Sequence, residues 1–507
     1  MPDSRSELGI QQAKGPRPNG KADIRRPAEH VRLTVVGIGY LGLTHAVCMA
    51  NLGHDVIGLD VDADKVVRAS RGEAPFFEPG LEPLLRKNLD AGRIRFTTSF
   101  AEAAEFGDIH FLCVGTPQAA DGSADLTYLH SAADALAPYL RRRCLVVGKS
   151  TVPVGTARGL TARIRERAPA GSQADVAWNP EFLREGFAVE DSLSPDRFVF
   201  GVASEQAARV LRQVYAKPVA KGIPALVMDL ETAELVKAAA NAFLATKISF
   251  INAMAEICEK AGGDVISLAD ALARDERIGK RFLAPGLGFG GGCLSKDIRA
   301  FRAVAGELGV ESVVNLLGEV DTINLRRRSR VTDLAREVLG GPLAGRQLAV
   351  LGLAFKPGSD DVRDSPSLHV CGQLLREGAL VSVHDPVAMK NAARIRPDLC
   401  YARSVTEAAV NADAVLHMTE WADYRVIDPA MLATVVAQRN MIDARCVLDE
   451  KAWRSAGWSI RVLGRSRAPA RLIHRAARKP AEEKLIMKSS RSELIACPVL
   501  DLSTAIS

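Results

Sequence analysis

The stretch LTVVGIGYLG, Leu33 to Gly42, limits the possible folds of this chain more than any other segment. An apolar, β-branched run leads straight into Gly37, Gly39 and Gly42, spaced GxGxxG, and then into residues of helical character. DVIGLDVD, Asp55 to Asp62, reads as the next strand, and Asp60 near its end lies 18 residues beyond Gly42. Strand, tight turn, helix and strand make a βαβ unit, whose crossover helix requires the two strands to be parallel. Further apolar runs at Ile109 to Val114, Cys144 to Gly148, Val176 to Trp178 and Phe198 to Val202 alternate with helical stretches. The pattern predicts a doubly wound parallel sheet.

In such a sheet ligands bind beyond the carboxyl ends of the strands. The glycines would let a pyrophosphate reach the helix N-terminus, and Asp60 would accept from ribose hydroxyls. A carboxylate there repels the 2′-phosphate of NADP, so the expected cofactor is NAD. The same glycines could instead do no more than tighten a βα turn. CVGTP (Cys113 to Pro117) and GKSTVPVG (Gly148 to Gly155) end two further strands and offer the hydroxyls of Thr116, Ser150 and Thr151. Read alone, each is a loop with Thr and Pro.

From Leu230 to about Arg328 the texture becomes helical, and TAELVKAAANAFLATKISFINAMAEICEKAG carries an apolar stripe at i, i+3, i+4 spacing. A helix this long commonly joins domains or lines a dimer seam. RQLAVLGLAFKPG (Arg346 to Gly358) then restarts the strand-and-turn pattern, with a helix from Ser365 and strands at ALVSVHDP and DAVLHM. The expected fold class is α/β, with two Rossmann-like doubly wound domains joined by a central long-helix region. The expected boundaries are a polar, disordered leader over 1–30, an NAD-binding domain over 31–225, a helical domain over 226–330, a second α/β domain over 331–465 and a basic, disordered tail over 466–507.

Three segments outside the dinucleotide motif carry chemistry. GLGFGGG, Gly286 to Gly292, has five glycines in seven residues and is followed by Cys293, Leu294, Ser295, Lys296 and Asp297. Such a backbone can approach a ligand closely. The helical spacing from Leu294 onward puts the Cys293 thiol at a helix N-terminus, where the dipole favours thiolate. The other eight cysteines lie in apolar or tail contexts and are expected to act as small buried hydrophobes. On the long helix Lys237 and Asn241 are four apart, hence on one face, and the AAANAF flank leaves room for a ligand. NPEFLREG, Asn179 to Gly186, brings Glu181 and Glu185 into a loop after a strand, although its spacing alone is compatible with ordinary turn and cap chemistry.

Charge and cysteine usage exclude several classes. The net charge is +6, but residues 1–32 carry +3 and residues 461–492 carry +8. Allowing for Glu493 and Asp501, the body between them is left near −3, so it lacks the basic footprint of a nucleic-acid binder. Nine scattered cysteines without a CxxC pair make neither a disulfide framework nor a zinc site, and no metal is expected. No apolar run reaches 18 residues and the N-terminus lacks a signal-peptide core, so the expected location is a reducing cytoplasm with no integral membrane segment.

Taken in order, GIGYLG, STVPVG, NPEFLREG, KAAANAF, GFGGGCLSKD and GLAFKPGSDDVRDSP closely resemble the nucleotide-sugar 6-dehydrogenases from about Leu33 to Gly464. Within that family the resemblance is to the members acting on UDP-glucose, since GDP-mannose enzymes differ in the helix that holds the lysine. It implies NAD-dependent, four-electron oxidation of a sugar C6 alcohol to a carboxylate. Cys293 would attack the C6 aldehyde to give a thiohemiacetal, oxidised next to a thioester that water hydrolyses. Lys237 and Asn241 would stabilise oxyanions, Asp297 would support the site, and Thr151 and Glu181 would position and deprotonate water. The resemblance places Gly37, Gly39, Tyr40, Leu41, Gly42, Asp60, Lys65, Thr116, Thr151, Glu185, Lys296 and Arg363 around NAD. It places Phe182, Leu183, Arg184, Glu185, Lys237, Asn241, Phe289, Gly290, Phe355, Lys356 and Arg445 around UDP-glucose in the second α/β domain and its neighbours. Arg277 of DERIG would come from the partner chain of a homodimer or higher homo-oligomer. Lys65 stands where an arginine is frequent, keeping the charge while losing a planar contact.

Three rivals remain: a 6-dehydrogenase for GDP-mannose or a UDP-N-acetylhexosamine, a two-electron β-hydroxyacid dehydrogenase, and an NAD-binding sensor without turnover. The last two have no use for Cys293 beside Lys237, Asn241 and Asp297.

Overall fold

A computed structural model describes residues 30–466. Apart from His30 and Ser466, the expected leader and basic tail lie outside the described residues. The first sheet comprises β1 (Arg32–Val36), β2 (Asp55–Leu59), β3 (Ile94–Thr97), β4 (Ile109–Leu112), β5 (Cys144–Gly148), β6 (Ala174–Trp178), β7 (Phe198–Val202) and β8 (Ala225–Met228). Their order is β3-β2-β1-β4-β5-β6-β7-β8. The chain starts in the middle of the sheet and reverses direction between β1 and β4, which opens a crevice at their carboxyl ends.

One expectation needs correction. The sheet is not wholly parallel: β6 and β7 pair antiparallel, with Ala177 opposite Val202 and Trp178 opposite Gly201. The reason lies in the connection. NPEFLREG and the short helix Ala188–Leu193 leave β6 and enter β7 at the same end of the sheet, so no crossover carries the chain back. That reversal keeps the loop at the carboxyl end, over the crevice.

The second sheet comprises β9 (Gln347–Leu351), β10 (Leu380–His384), β11 (Cys400–Tyr401), β12 (Ala414–His417), β13 (Asn440–Asp443) and β14 (Ser459–Val462). It is parallel throughout, in the order β11-β10-β9-β12-β13-β14, and repeats the reversal of the first. Between the sheets runs the helix Leu230–Ala261, capped by the Asp229 carboxylate on the Thr232 N–H and ended by Gly262 at φ +83°. A left-handed C-cap of this kind suits glycine. Helices Val265–Ala273, Leu294–Glu307 and Glu311–Leu339 complete the central region. Arg465 ties the end of the second domain back to it through Asp264, at 2.8 Å, and also pairs with Glu450.

The buried Trp178 ring anchors the first domain's core, and β5 makes room for it. A β-carbon on Gly148 would lie 2.1 Å from that ring. Gly148→Ala is therefore expected to lower stability by about 1–3 kcal/mol through overpacking, read from a urea or thermal melt. An unchanged midpoint would show that the ring has space to move.

Candidate active site

Cys293 caps the helix Leu294–Glu307, and the Asp297 N–H donates to its carbonyl at 2.8 Å. The glycine ladder before it has a use the sequence did not suggest. A β-carbon at Gly290 would lie 2.3 Å from the Asp364 carbonyl oxygen, at Gly291 2.8 Å from the Phe355 ring, and at Gly292 2.4 Å from the Arg363 guanidinium carbon. The Gly291 N–H donates to the Arg363 carbonyl at 2.9 Å. Three of the five glycines thus admit the protein's own C-terminal domain to the backbone beside the cysteine.

The thiol is solvent-accessible, but it faces a cleft whose walls displace most of the surrounding water. That burial pushes its pKa up to about 12, with Glu181 adding to the rise and Lys237 opposing it. Burial and the neighbouring carboxylates thus oppose the thiolate that the helix N-terminus favours. Cys48, Cys113, Cys144, Cys258 and Cys371 are buried as expected and Cys446 is partly so. Cys400 is exposed, because β11 is a two-residue edge strand that nothing covers, and Cys497 lies outside the described residues.

Lys237 is 5% exposed, with its ammonium 3.1 Å from Glu181 Oε1 and 5.6 Å from the Phe182 ring centre. Burial acts to lower its pKa, but Glu181, Cys293 and Asp297 together outweigh it, so the net shift is upward and the group is a cation. One turn along, Asn241 Nδ2 donates to Asp297 Oδ2 at 2.6 Å, and Lys296 Nζ contacts Asp297 Oδ1 at 2.6 Å. The second oxygen of Glu181 accepts from the Leu183 N–H at 2.6 Å. Lys237, Asn241, Asp297 and Glu181 therefore converge beside Cys293, from three separate segments.

The rest of NPEFLREG reaches across to the C-terminal domain. The Arg197 guanidinium lies over the Phe182 ring, 3.9 Å from its centre, and Arg184 is held by Asp191 at 2.6 Å. Glu185 takes a hydrogen bond from Ser359 at 3.0 Å and pairs with Arg363 at 3.2 Å. Burial raises Glu185 to about 7, with Asp361 adding and Arg363 opposing. Lys356, whose pKa is lowered by burial against the pull of Glu185, lies 5.4 Å from the Phe355 ring. Arg445 donates to the Met418 and Phe355 carbonyls at 2.7 and 3.1 Å.

At the carboxyl ends of β1, β2, β4 and β5 the geometry fits a dinucleotide. A β-carbon on Gly42 would sit 1.7 Å from the Gly37 carbonyl oxygen, whereas Gly39 has no atom within 4 Å on that side, leaving an open approach to the helix Tyr40–Asn51. Leu41 packs against the domain core. Asp60 accepts the Ile38 and Asp62 N–H groups at 2.9 and 3.0 Å, one on each oxygen, which leaves lone pairs for hydroxyls. Lys65 stands 3.8 Å from Asp60, and Thr116 Oγ1 donates to the Thr151 carbonyl at 2.8 Å.

Two expected residues do not join these clusters through their side chains. The Phe289 ring is packed in the central core with Ala245 and Leu317, and its backbone N–H and carbonyl are taken by Asn324 and Arg328. Arg277 is exposed and paired with Asp275 on its own loop.

Four of the buried charges that sequence reasoning passed over bear on the site. Glu78 accepts from the Tyr40 hydroxyl and from the Gly186 and Ala188 N–H groups, both at 2.7 Å, locking the glycine-rich turn to NPEFLREG. Glu234 accepts the Gly155 and Ala157 N–H groups at 2.7 and 2.6 Å and pins the Thr151 loop to the long helix. Arg328 pairs with Asp364 at 2.7 Å. Lys149 lies buried behind Glu181. A lysine closing an apolar strand was a readable signal for Lys149, while nothing local distinguished Glu78.

The chain matches the UDP-glucose/GDP-mannose dehydrogenase family along its NAD binding domain (residues 31–219), its central domain (231–326) and its UDP binding domain (349–450). It belongs to that family. The UDP-glucose 6-dehydrogenase YwqF of Bacillus subtilis is 40% identical over 416 residues, covering 82% of this chain and 93% of that protein. A UDP-glucose 6-dehydrogenase of Pseudomonas aeruginosa is 40% identical over 447 residues, covering 86% and 98%. Among solved structures, a UDP-glucose dehydrogenase from Pyrobaculum islandicum superimposes with a TM-score of 0.80 at 39% identity, covering 89% of this chain and 99% of that one. No helix among the described residues is long and apolar enough to cross a membrane.

Glu234 yields a pH prediction. Burial raises its pKa to about 7, against its two N–H partners. Between the ordinary carboxylate value and about 7 the folded state holds more protons than the unfolded one, so its contribution to stability falls as pH rises through that window. Glu234→Gln mimics the protonated form, and its urea midpoint should drop less between pH 5 and pH 8 than the wild-type midpoint does. Equal drops would remove Glu234 from the titration.

Proposed function

We propose that this protein oxidises UDP-glucose to UDP-glucuronate with two NAD, through a covalent intermediate on Cys293. The observation that carries the proposal is the convergence of Lys237, Asn241, Asp297 and Glu181 on one accessible thiol between two dinucleotide-type sheets. A two-electron dehydrogenase has no use for that thiol. Gly37, Gly39, Tyr40, Leu41, Gly42, Asp60, Lys65, Thr116 and Thr151 would hold NAD, which when bound would supply the hydride acceptor for both oxidations. Residues 31–225, 226–330 and 331–465 serve as NAD-binding, central and UDP-sugar-binding domains.

The chain's own groups do the rest. Lys237 and Asn241 stabilise negative charge on the C6 oxygen as the alcohol proton leaves and as Cys293 sulfur adds to the aldehyde. As the sulfur bonds to C6 the C=O π pair moves to the C6 oxygen, which takes up the proton that the thiol gives up, so the thiohemiacetal forms with no net gain or loss of protons. After the second oxidation, Glu181 takes a proton from water as the water oxygen bonds to C6, and the C6–S bond breaks. The balance is one alcohol, two NAD⁺ and one water to one carboxylate, two NADH and three protons.

The cytoplasm supplies NAD and nucleotide sugars, and we place the enzyme there. We assign it as a homodimer or higher homo-oligomer. Phe243, Phe250 and Ile257 are 67%, 49% and 57% exposed at seven-residue spacing along one face of Leu230–Ala261. Exposed aromatic and aliphatic side chains in such a seam favour association. Arg277, free of its own chain's cleft, is available to a partner's substrate.

The yield of NADH per sugar tests the reaction: two with UDP-glucose, and slower turnover with UDP-galactose, UDP-N-acetyl sugars and GDP-mannose. One NADH with an aldehyde or ketose product would sink it. Cys293→Ser should lose about three orders of magnitude in turnover and trap an ester, because an alkoxide leaves poorly. Asp60 predicts a far higher kcat/KM with NAD than with NADP. Mixed Cys293→Ala and Arg277→Ala chains should regain part of the activity if Arg277 serves a neighbour's site, and proven subunit exchange without rescue would reject sharing.

A further inference from the structure

Lys149 closes β5 and is 6% exposed. Among the described residues no carboxylate lies within ion-pair distance of its ammonium. Its contacts are Asn179 Oδ1 at 3.0 Å, the Asn179 carbonyl at 3.4 Å and the Phe111 ring centre at 5.9 Å. An unpaired buried cation is expensive to keep. Burial lowers its pKa to about 8, with Cys113 and Glu181 opposing and Lys237 adding to the fall. The groups facing it are Cys113 after β4, Glu181 after β6, Lys237 on the long helix and His45 on the helix Tyr40–Asn51. Cys113 and His45 are both neutral near pH 7, since burial drives the thiol up to about 12 and the imidazole well down.

Every polar group of Asn179 is engaged. Its N–H donates to the Gly148 carbonyl at 2.8 Å, its Nδ2 to the Val199 carbonyl at 3.0 Å, and its Oδ1 accepts from the Tyr215 hydroxyl at 2.6 Å as well as from Lys149. Lys149 alone reaches both the side chain and the carbonyl of this residue. Asn179 is the root of NPEFLREG, two residues before Glu181. Glu181 therefore hangs between two buried ammonium groups, Lys237 in contact and Lys149 behind its backbone.

We propose that Lys149 is a positioning residue for thioester hydrolysis, fixing Asn179 so that Glu181 stays aimed at the water beside Cys293. The assignment rests on the reaction proposed above. In that step the water oxygen bonds to C6, the C6–S bond breaks with its electron pair going to sulfur, and a water proton passes through Glu181 to the sulfur. No electrons enter or leave. The oxidations depend on Lys237, Asn241 and Cys293, so loss of Lys149 separates the two halves of the reaction.

The test is single-turnover and steady-state kinetics of Lys149→Met, with intact-protein mass and a pH profile. Expected is a burst of two NADH per site at close to the wild-type rate, with kcat reduced about tenfold or more and kcat/KM for both substrates within about threefold. An acyl adduct on Cys293 should accumulate. In the wild type kcat should fall above pH about 8 as Lys149 loses its proton. Asn179→Asp gives the ammonium a carboxylate and should move that limb upward, and this variant decides the matter if Lys149→Met does not fold. A folded Lys149→Met that hydrolyses normally, or that slows the burst as much as turnover with no adduct, overturns the role, as does an unmoved limb in Asn179→Asp. A wild type yielding one NADH per sugar overturns the hydrolytic reading itself, and the two failures are thereby distinguished.

Discussion

The ion pair between Lys237 and Glu181 is the interaction on which the site depends. Lys237 is buried and Glu181 only partly exposed, and a charge in that position is tolerated only when its partner is held in place. One partner sits on the central helix and the other on the loop that follows β6, so the pair fixes the distance between two domains as well as the charge beside Cys293. Asn241 and Asp297 repeat the device one turn further along, joining the same helix to the one that Cys293 caps. Glu234 does so again one turn earlier, on the Thr151 loop. The long helix is thus a rail on which three separately folded segments are registered.

The chemistry of the fold explains how those segments arrive at one end. Parallel strands deliver their following loops to the carboxyl edge, which gives the glycine-rich turn and the Thr116 and Thr151 loops their place. NPEFLREG needs something more, because it has to stay at that edge. The antiparallel step from β6 to β7 supplies this, and Glu78 then ties the loop to the turn after β1.

Much of this was legible in the residues. The spacing of Gly37, Gly39 and Gly42 with Asp60, the position of Cys293 at a helix start and the i, i+4 relation of Lys237 and Asn241 are local patterns, and local patterns survive folding. The reversed strand was not legible, since apolar runs carry no sign of direction. Glu78 and Arg328 were missed for a related reason: a charged residue declares itself buried only when its distant partner is known. The groups that oppose a thiolate at Cys293 were not legible either, because a helix dipole is a property of the local chain, while the surrounding carboxylates come from elsewhere. The glycine ladder misled in the same way, its open backbone being filled by residues some 70 positions away.

That ladder makes the candidate nucleophile the joint property of the central region and the C-terminal domain. Its thiol is encoded in the central region, but the walls that seat its backbone are Phe355, Arg363 and Asp364 of the C-terminal domain. A substitution in the second sheet's first loop therefore acts on the reacting sulfur as directly as one beside it. A C-terminal half grafted from elsewhere would therefore have to bring its own mould for the cysteine loop.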